Sequence, residues 1–318
     1  MLPATTPLRP PAVTADAERA DDYAAAARSP NTLRAYRFDL QDFVRYCRRR
    51  GDSALPATAA TVAAYLAHLA DLGRKVSTLE RRLAAISQAH QHAGHPSPTR
   101  EAHVRTVLKG IRRTHGTAPD VKAPILVEDL RAMIAALPDH PRSVRDRALL
   151  LLGFAGGFRR SELTGMSRAD IEFSRDGVIV TLRRSKTDQE GQGRRVAIPY
   201  GSSPQTCPVR ALQDWLATAK INNGLVFRAV TRSGFVQQPM TAQAVALIVK
   251  KAAKQAGLDP GRFAGHSLRA GLCTAAARAG VSERAIMNQT GHRSGATLRR
   301  YIREGNLFTD NAAARLGL

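Results

Sequence analysis

From Pro30 onward the chain places apolar residues at helical spacing. Leu33, Tyr36, Leu40, Phe43, Val44 and Cys47 recur every three or four residues and so line one face of a helix. Ser29-Pro30 supplies an N-cap and a first helical residue, and Gly51 a stop. The same period predicts a helix from near Thr58 with Val62, Tyr65, Leu66 and Leu69 inward, and another from near Ser77 with Leu79, Leu83 and Ile86. A fourth carries Val104, Val107, Leu108 and Ile111. Short connections imply a single all-helical domain over residues 29–115. The stretch 116–124, with two prolines and no periodicity, reads as an extended linker.

Over residues 125–318 the pattern predicts helices at Val127–Leu137 and Ser143–Gly157, after which the period drops to two. Ile171–Phe173, Val178–Leu182 and Arg195–Ile198, separated by Asp176-Gly177 and by Thr187–Gly193, predict a small three-stranded antiparallel sheet. Helical spacing resumes at Pro208–Lys220 and Thr241–Gln255. It continues in three shorter segments, Ser267–Ala279, Ser282–Thr290 and Ala296–Ile302. The expected fold class is mostly α, in two domains, the second with a minor sheet.

Charge adds a partner to this picture. The 318 residues hold 48 Lys+Arg against 26 Asp+Glu, a formal charge of +22, and a chain so basic most simply serves a nucleic acid. No apolar run reaches the roughly 18–20 residues of a membrane helix. Residues 1–28 are Pro/Ala/Thr-rich without the apolar segment of a signal peptide, so a flexible arm and a non-secreted protein are expected. Cys47, Cys207 and Cys273 are odd in number and far apart, which fits a reducing, bacterial-type cytoplasm. His90-x-His92-x-x-His95 is either a polar helix end or a metal candidate without carboxylate or cysteine partners nearby.

Several polar residues stand out in the second domain. In Gly156-Gly157-Phe158-Arg159-Arg160-Ser161-Glu162-Leu163 an apolar helix ends in charge, which an arginine near its C-terminus would complement. In Gly265-His266-Ser267-Leu268-Arg269, His266 and Arg269 share one face if Ser267 opens a helix, otherwise explained as surface polar groups. Gly291-His292 precedes Tyr301 by nine residues.

Together, Arg159, His266-x-x-Arg269, His292 and Tyr301 resemble, in order and spacing, the active-site pattern of the tyrosine recombinase (phage integrase) family, including its Cre-like members. The resemblance extends to Glu162, three residues after the first arginine, and to Lys186 in Arg184-Ser-Lys-Thr-Asp188, with Arg183, Arg184 and Arg194 as basic neighbours. It implies a SAM-like core-binding domain of four to five helices and a catalytic domain of the DNA breaking-rejoining fold. It also implies an activity: Tyr301 attacks a scissile phosphate and leaves a 3′-phosphotyrosyl link and a free 5′-hydroxyl. Arg159 and Arg269 would hold the non-bridging oxygens, His266 would take the phenolic proton, Lys186 would protonate the leaving oxygen, and His292 would bond a phosphate oxygen. Glu162 would orient His266 or an arginine.

No cofactor is expected, since bond energy is kept in the phosphotyrosine and the sequence holds no phosphate-binding G-x-x-x-x-G-K-[ST] loop. The expected partners are double-stranded DNA with paired half-sites and further copies of the chain, as a tetramer. Residues 306–318, through Leu307, Phe308 and Leu316, would dock on a neighbouring protomer or pack on their own domain. Lys75, Arg81, Arg82, Arg105, Lys109, Lys250, Lys251, Arg293 and Arg299 are candidate phosphate contacts, although any one of them taken singly reads more readily as solvated charge. Gln243, inside the Thr241 helix, is a candidate for an adenine edge. Two competing readings are a nicking-closing enzyme of type IB topoisomerase kind and a catalytically idle DNA-binding accessory protein.

Overall fold

The computed structural model describes residues 27–118, 121–183 and 193–295, with isolated positions at 16, 19, 23, 298, 299, 301, 302 and 316. Two compact units divide the chain, Met1–Asp120 and Val121–Leu318.

The first unit is built from α1 (Pro30–Arg50), α2 (Ala59–Asp71), α3 (Val76–His92) and α4 (Ala102–His115). Ser29 accepts the Thr32 N–H as N-cap of α1, and Gly51 closes that helix in the left-handed region at φ 74°. Thr58 caps α2 in the same way through the Thr61 N–H. α1 packs on α3 and α2 on α4 around Phe43, Tyr65, Leu66, Leu79, Ile86 and Val104. His90 belongs to this core. Its Nδ1 bonds the Ile86 carbonyl at 2.8 Å and its Nε2 accepts the Ala57 N–H at 2.9 Å, so both ring nitrogens are used. With both of its ring nitrogens engaged, His90 is lost as the first ligand of the metal reading of the three-histidine run.

The second unit runs α5 (Val127–Ala135), α6 (Pro141–Ala155), α7 (Arg160–Gly165), then β1 (Ile171–Phe173), β2 (Gly177–Leu182) and β3 (Arg194–Pro199). There follow α8 (Pro208–Thr218), β4 (Arg228–Val230), β5 (Val236–Pro239), α9 (Ala242–Gln255), α10 (Ser267–Arg278) and α11 (Glu283–Thr290). The sheet is antiparallel in the order β1-β2-β3, with Val180 opposite both Ile171 and Val196. Its core face, Val178, Val180, Val196 and Ile198, joins the apolar faces of α6, α8 and α9. Trp215 of α8 is fully buried and donates its indole N–H to the Val226 carbonyl at 2.9 Å. Truncating it to alanine is expected to cost about 3–5 kcal/mol. No helix among the described residues is long and apolar enough to cross a membrane.

Three features depart from the sequence pattern. α6 begins at Pro141 with His140 as its N-cap, through a ring nitrogen that accepts the Arg142 N–H, a role histidine seldom signals. α7 went unpredicted because six residues are too few to show a period. The hairpin β4–β5 is likewise too short to alternate visibly, and it adds a second, two-stranded sheet to the one expected.

Candidate active site

Arg159 reaches the site by a turn. α6 stops at Ala155, and Gly157 follows at φ 58°, a left-handed conformation in which an added Cβ would also lie 2.8 Å from Leu272 Cδ2. Arg159 therefore occupies the N-cap position of α7, and the reading of it as a counter-charge in the last turn of α6 is corrected. Glu162, three residues on, accepts the Arg159 backbone N–H at 2.8 Å through Oε2 and its Nη1 at 2.6 Å through Oε1. The carboxylate is buried, and of its two expected partners it holds an arginine.

Arg269 lies in the first turn of α10 and is only 1% exposed, so it is no surface polar group. Its Nη1 donates to the carbonyls of Gly157 and Thr290, each at 2.6 Å, and thereby ties the α6–α7 turn to the end of α11. Nη2 is buried without a hydrogen-bond partner among the described residues. Burial, and then the nearby Arg159, pull its pKa down to about 10, which leaves it charged at neutral pH.

Thr290 also sets the state of His292. Its hydroxyl donates to the Ile286 carbonyl at 2.6 Å and so accepts from His292 Nδ1, 2.7 Å away. The neutral ring thus carries its proton on Nδ1 and presents a lone pair on Nε2. Burial first, then Arg269 and Arg159, lower the His292 pKa to about 4. It is neutral in the absence of an anion.

Tyr301 is 2% exposed and packs with Ala270, Cys273, Ala277, Ile286 and Leu298 against α10 and α11. Its hydroxyl lies 3.2 Å from Nε2 of His266, the exposed residue that opens α10. Cys273, one turn from Arg269, has its thiol pushed up to about 11 by burial and stays protonated.

One group went unassigned in the sequence. Arg194, at the start of β3, shares the inward face with Val196 and Ile198, and strand alternation is the signal that marks it. Its Nη1 donates to the Gln289 carbonyl at 2.6 Å and its Nη2 lies 3.5 Å from Glu162 Oε2. Lys186 lies outside the described residues, between Arg183 and Gly193.

The proposed DNA contacts divide into two kinds. Arg81 donates twice to the buried Asp39, at 2.7 and 3.0 Å, and Arg82 bonds Asp42 and Tyr65, so both are engaged inside the first unit. Lys75, Arg105, Lys109, Gln243, Lys250, Lys251 and Arg293 are exposed, and Arg299 approaches Glu283 at 3.5 Å. Leu307 and Phe308 lie outside the described residues, whereas Leu316 is exposed.

A helical unit followed by an α-rich unit, with arginines, histidines and a buried tyrosine at one place in the second, defines the tyrosine recombinases, enzymes that cut and rejoin DNA strands. The chain belongs to the phage integrase family: residues 125–306 match the model of that family, and residues 23–95 that of the phage integrase N-terminal SAM-like domain. It is 43% identical over 296 residues to the integrase/recombinase xerD homolog of Selenomonas ruminantium, covering 91% of this chain and 86% of that one. In fold it is similar to the Tn1549 transposon integrase in complex with transposon right end DNA, with a TM-score of 0.61, 16% identity and coverage of 89% and 92%. It is also similar to a lambda integrase tetramer bound to a Holliday junction, with a TM-score of 0.56, 20% identity and coverage of 91% and 76%.

Proposed function

We propose that the protein recombines DNA at paired sites through a phosphotyrosyl link on Tyr301, with the residues above in defined roles. The observation that carries the reading is the placing of a buried phenol 3.2 Å from an imidazole nitrogen, in the unit that also holds two buried or half-buried arginines. A phenol has a pKa near 10 and needs a base as it attacks. His266 Nε2 takes that proton while the Tyr301 oxygen bonds to phosphorus and the bond from phosphorus to the 5′-oxygen breaks. Lys186, on the β2–β3 connection, gives the leaving oxygen its proton. Arg159 and Arg269 bind the non-bridging oxygens, whose charge grows in the transition state.

His292 enters differently. With its proton held on Nδ1 toward Thr290, it bonds a phosphate oxygen only after Nε2 is protonated. The negative charge of the diester favours that uptake. Rejoining reverses the steps, with the 5′-hydroxyl of a partner strand as nucleophile. Every proton and bond is accounted for among these side chains, and neither ATP nor a metal takes part.

The partner is duplex DNA, gripped mainly through phosphates by the exposed basic residues of both units, in the bacterial cytoplasm. Four copies assemble on two sites, with residues 306–318 docking on a neighbour. Removing everything after Gly305 is expected to spare half-site binding and impair synapsis. An unchanged recombination rate contradicts the docking role.

The test is covalent capture. The protein is incubated with sheared host DNA in EDTA without ATP and quenched in detergent, and the attached DNA is sequenced, with Tyr301→Phe as control. Recurrent adducts lost in the variant support the reading. Adducts scattered over sequence support a nicking-closing enzyme, and salt-sensitive binding without adducts supports an accessory binding protein.

A further inference from the structure

The geometry points to Arg194 as a positioning residue of the strand-cleavage site: its guanidinium holds the Glu162 carboxylate, and through it Arg159, in register with the end of α11 that leads to His292. This rests on the recombinase reading for its role in cleavage, though not for its effect on anion binding.

The contacts converge on one strut. Arg194 starts on β3, the strand that follows the Lys186 connection, and reaches across to two other elements. Nη1 donates to the carbonyl of Gln289 in the last turn of α11, at 2.6 Å. Nη2 faces Glu162 Oε2 at 3.5 Å, on the carboxylate whose other contacts are the backbone and side chain of Arg159. Gly291, at φ 67°, turns the chain from α11 to His292 directly over this side chain: a Cβ there would lie 2.8 Å from Arg194 Nε. Gln289 braces the same point, donating its side-chain amide to Ala155 O at 3.0 Å and Ala197 O at 3.2 Å.

The surroundings are costly without an anion. Nε and Nη2 of Arg194 are buried with no hydrogen-bond partner among the described residues, as is Arg269 Nη2. Burial lowers the Arg194 pKa, Glu162 opposes that shift, and Arg159 adds to it. Two guanidiniums thus contact one carboxylate, with that of Arg269 close enough to feel its charge, an arrangement that a bound phosphate relieves. With Nη1 committed to the Gln289 carbonyl and Nη2 facing Glu162, Arg194 acts through Glu162, Arg159 and the added positive potential.

Arg194→Met and Arg194→Lys test this with two readouts. In the first, inorganic phosphate is titrated while the His292 Cε1 resonance is followed. Half-saturation is expected to rise about tenfold in Arg194→Met and less in Arg194→Lys. In a Glu162→Gln background the same change is expected to fall to about threefold or less, since coupled residues are not additive. The second readout is the Tyr301 adduct rate on the duplex recovered by capture. It is expected to fall about a hundredfold in Arg194→Met while half-site affinity stays within about twofold.

Wild-type-like phosphate response and adduct rate in Arg194→Met overturn the assignment, and an undiminished loss in the Glu162→Gln background overturns its route through Glu162. Should Arg194→Met fail to fold, Arg194→Lys decides on the same readouts. Absence of any adduct with the wild type removes the recombinase reading, and the phosphate titration still decides for Arg194.

Discussion

Two charged clusters in this molecule differ in how far acids match their arginines. In the first unit the carboxylates of Asp39 and Asp42 meet Arg45, Arg81, Arg82 and the Tyr65 hydroxyl, and Arg82 approaches both acids. Each carboxylate there is satisfied, and the cluster ties α1 to α2 and α3. In the second unit Arg159 and Arg194 pair with Glu162, Arg269 lies within reach of its charge, and buried donors of Arg194 and Arg269 have no hydrogen-bond partner among the described residues. In the first unit three arginines meet two carboxylates and the Tyr65 hydroxyl, with Arg82 Nε that cluster's one buried donor left over among the described residues, as befits a cluster that braces a scaffold. Buried positive charge with unfilled donors is costly, and a bound anion would offset that cost. Sequence composition treats all these arginines alike, and only their partners separate them.

The largest break in that comparison is Tyr301→Phe. It keeps the ring in its apolar nest and is expected to lower adduct formation more than about a thousandfold at unchanged thermal midpoint. Arg159→Lys keeps the charge but loses the fork, and single-turnover cleavage is expected to drop about a hundredfold with little change in half-site affinity. Asp39→Asn strikes the cluster of the first unit. It is expected to cost about 1–3 kcal/mol in denaturant unfolding and to leave the adduct rate of the folded protein intact. Equal losses of stability and chemistry in both clusters would erase the distinction drawn between them.

Smaller effects follow from His292. Its pKa is about 4 in the folded chain against an ordinary value of 6.5, so the unfolded state binds more protons between those values. Its contribution to stability is therefore present above pH 6.5 and lost as pH falls toward 4. Phosphate binding needs the protonated ring, so affinity for a cleavable duplex is expected to rise as pH is lowered from 8 to 6, with net proton uptake by calorimetry. His292→Gln is expected to flatten both trends.

Much of this was legible in the residues. Ser29, Thr58 and Thr241 announce helix starts because their side chains accept the backbone N–H groups that a first turn leaves orphaned, and Gly51 announces an end because it takes a left-handed φ freely. The resemblance of Arg159, Glu162, His266, Arg269, His292 and Tyr301 to the family's active-site pattern implied a common site, and the structure brings Arg159 to Glu162 and His266 to Tyr301.

What stayed hidden depends on tertiary contacts. α7 and the β4–β5 hairpin are shorter than the windows in which a period shows. Arg159 read as the end of one helix because nothing local reveals the left-handed turn at Gly157 that makes it the start of another. Arg81 and Arg82 read as DNA contacts because the acids that engage them lie some forty residues away. Arg194 was visible only as one basic residue among several, although its place two before Val196 on an alternating strand marked the inward face.

The most direct measurement is to digest the captured protein–DNA adduct with nuclease and protease and locate the nucleotide by mass spectrometry. The expected result is a 3′-phosphonucleotide on the peptide containing Tyr301, with a 5′-hydroxyl on the released strand. A nucleotide carried by any other residue, or joined through its 5′-phosphate, would contradict the mechanism.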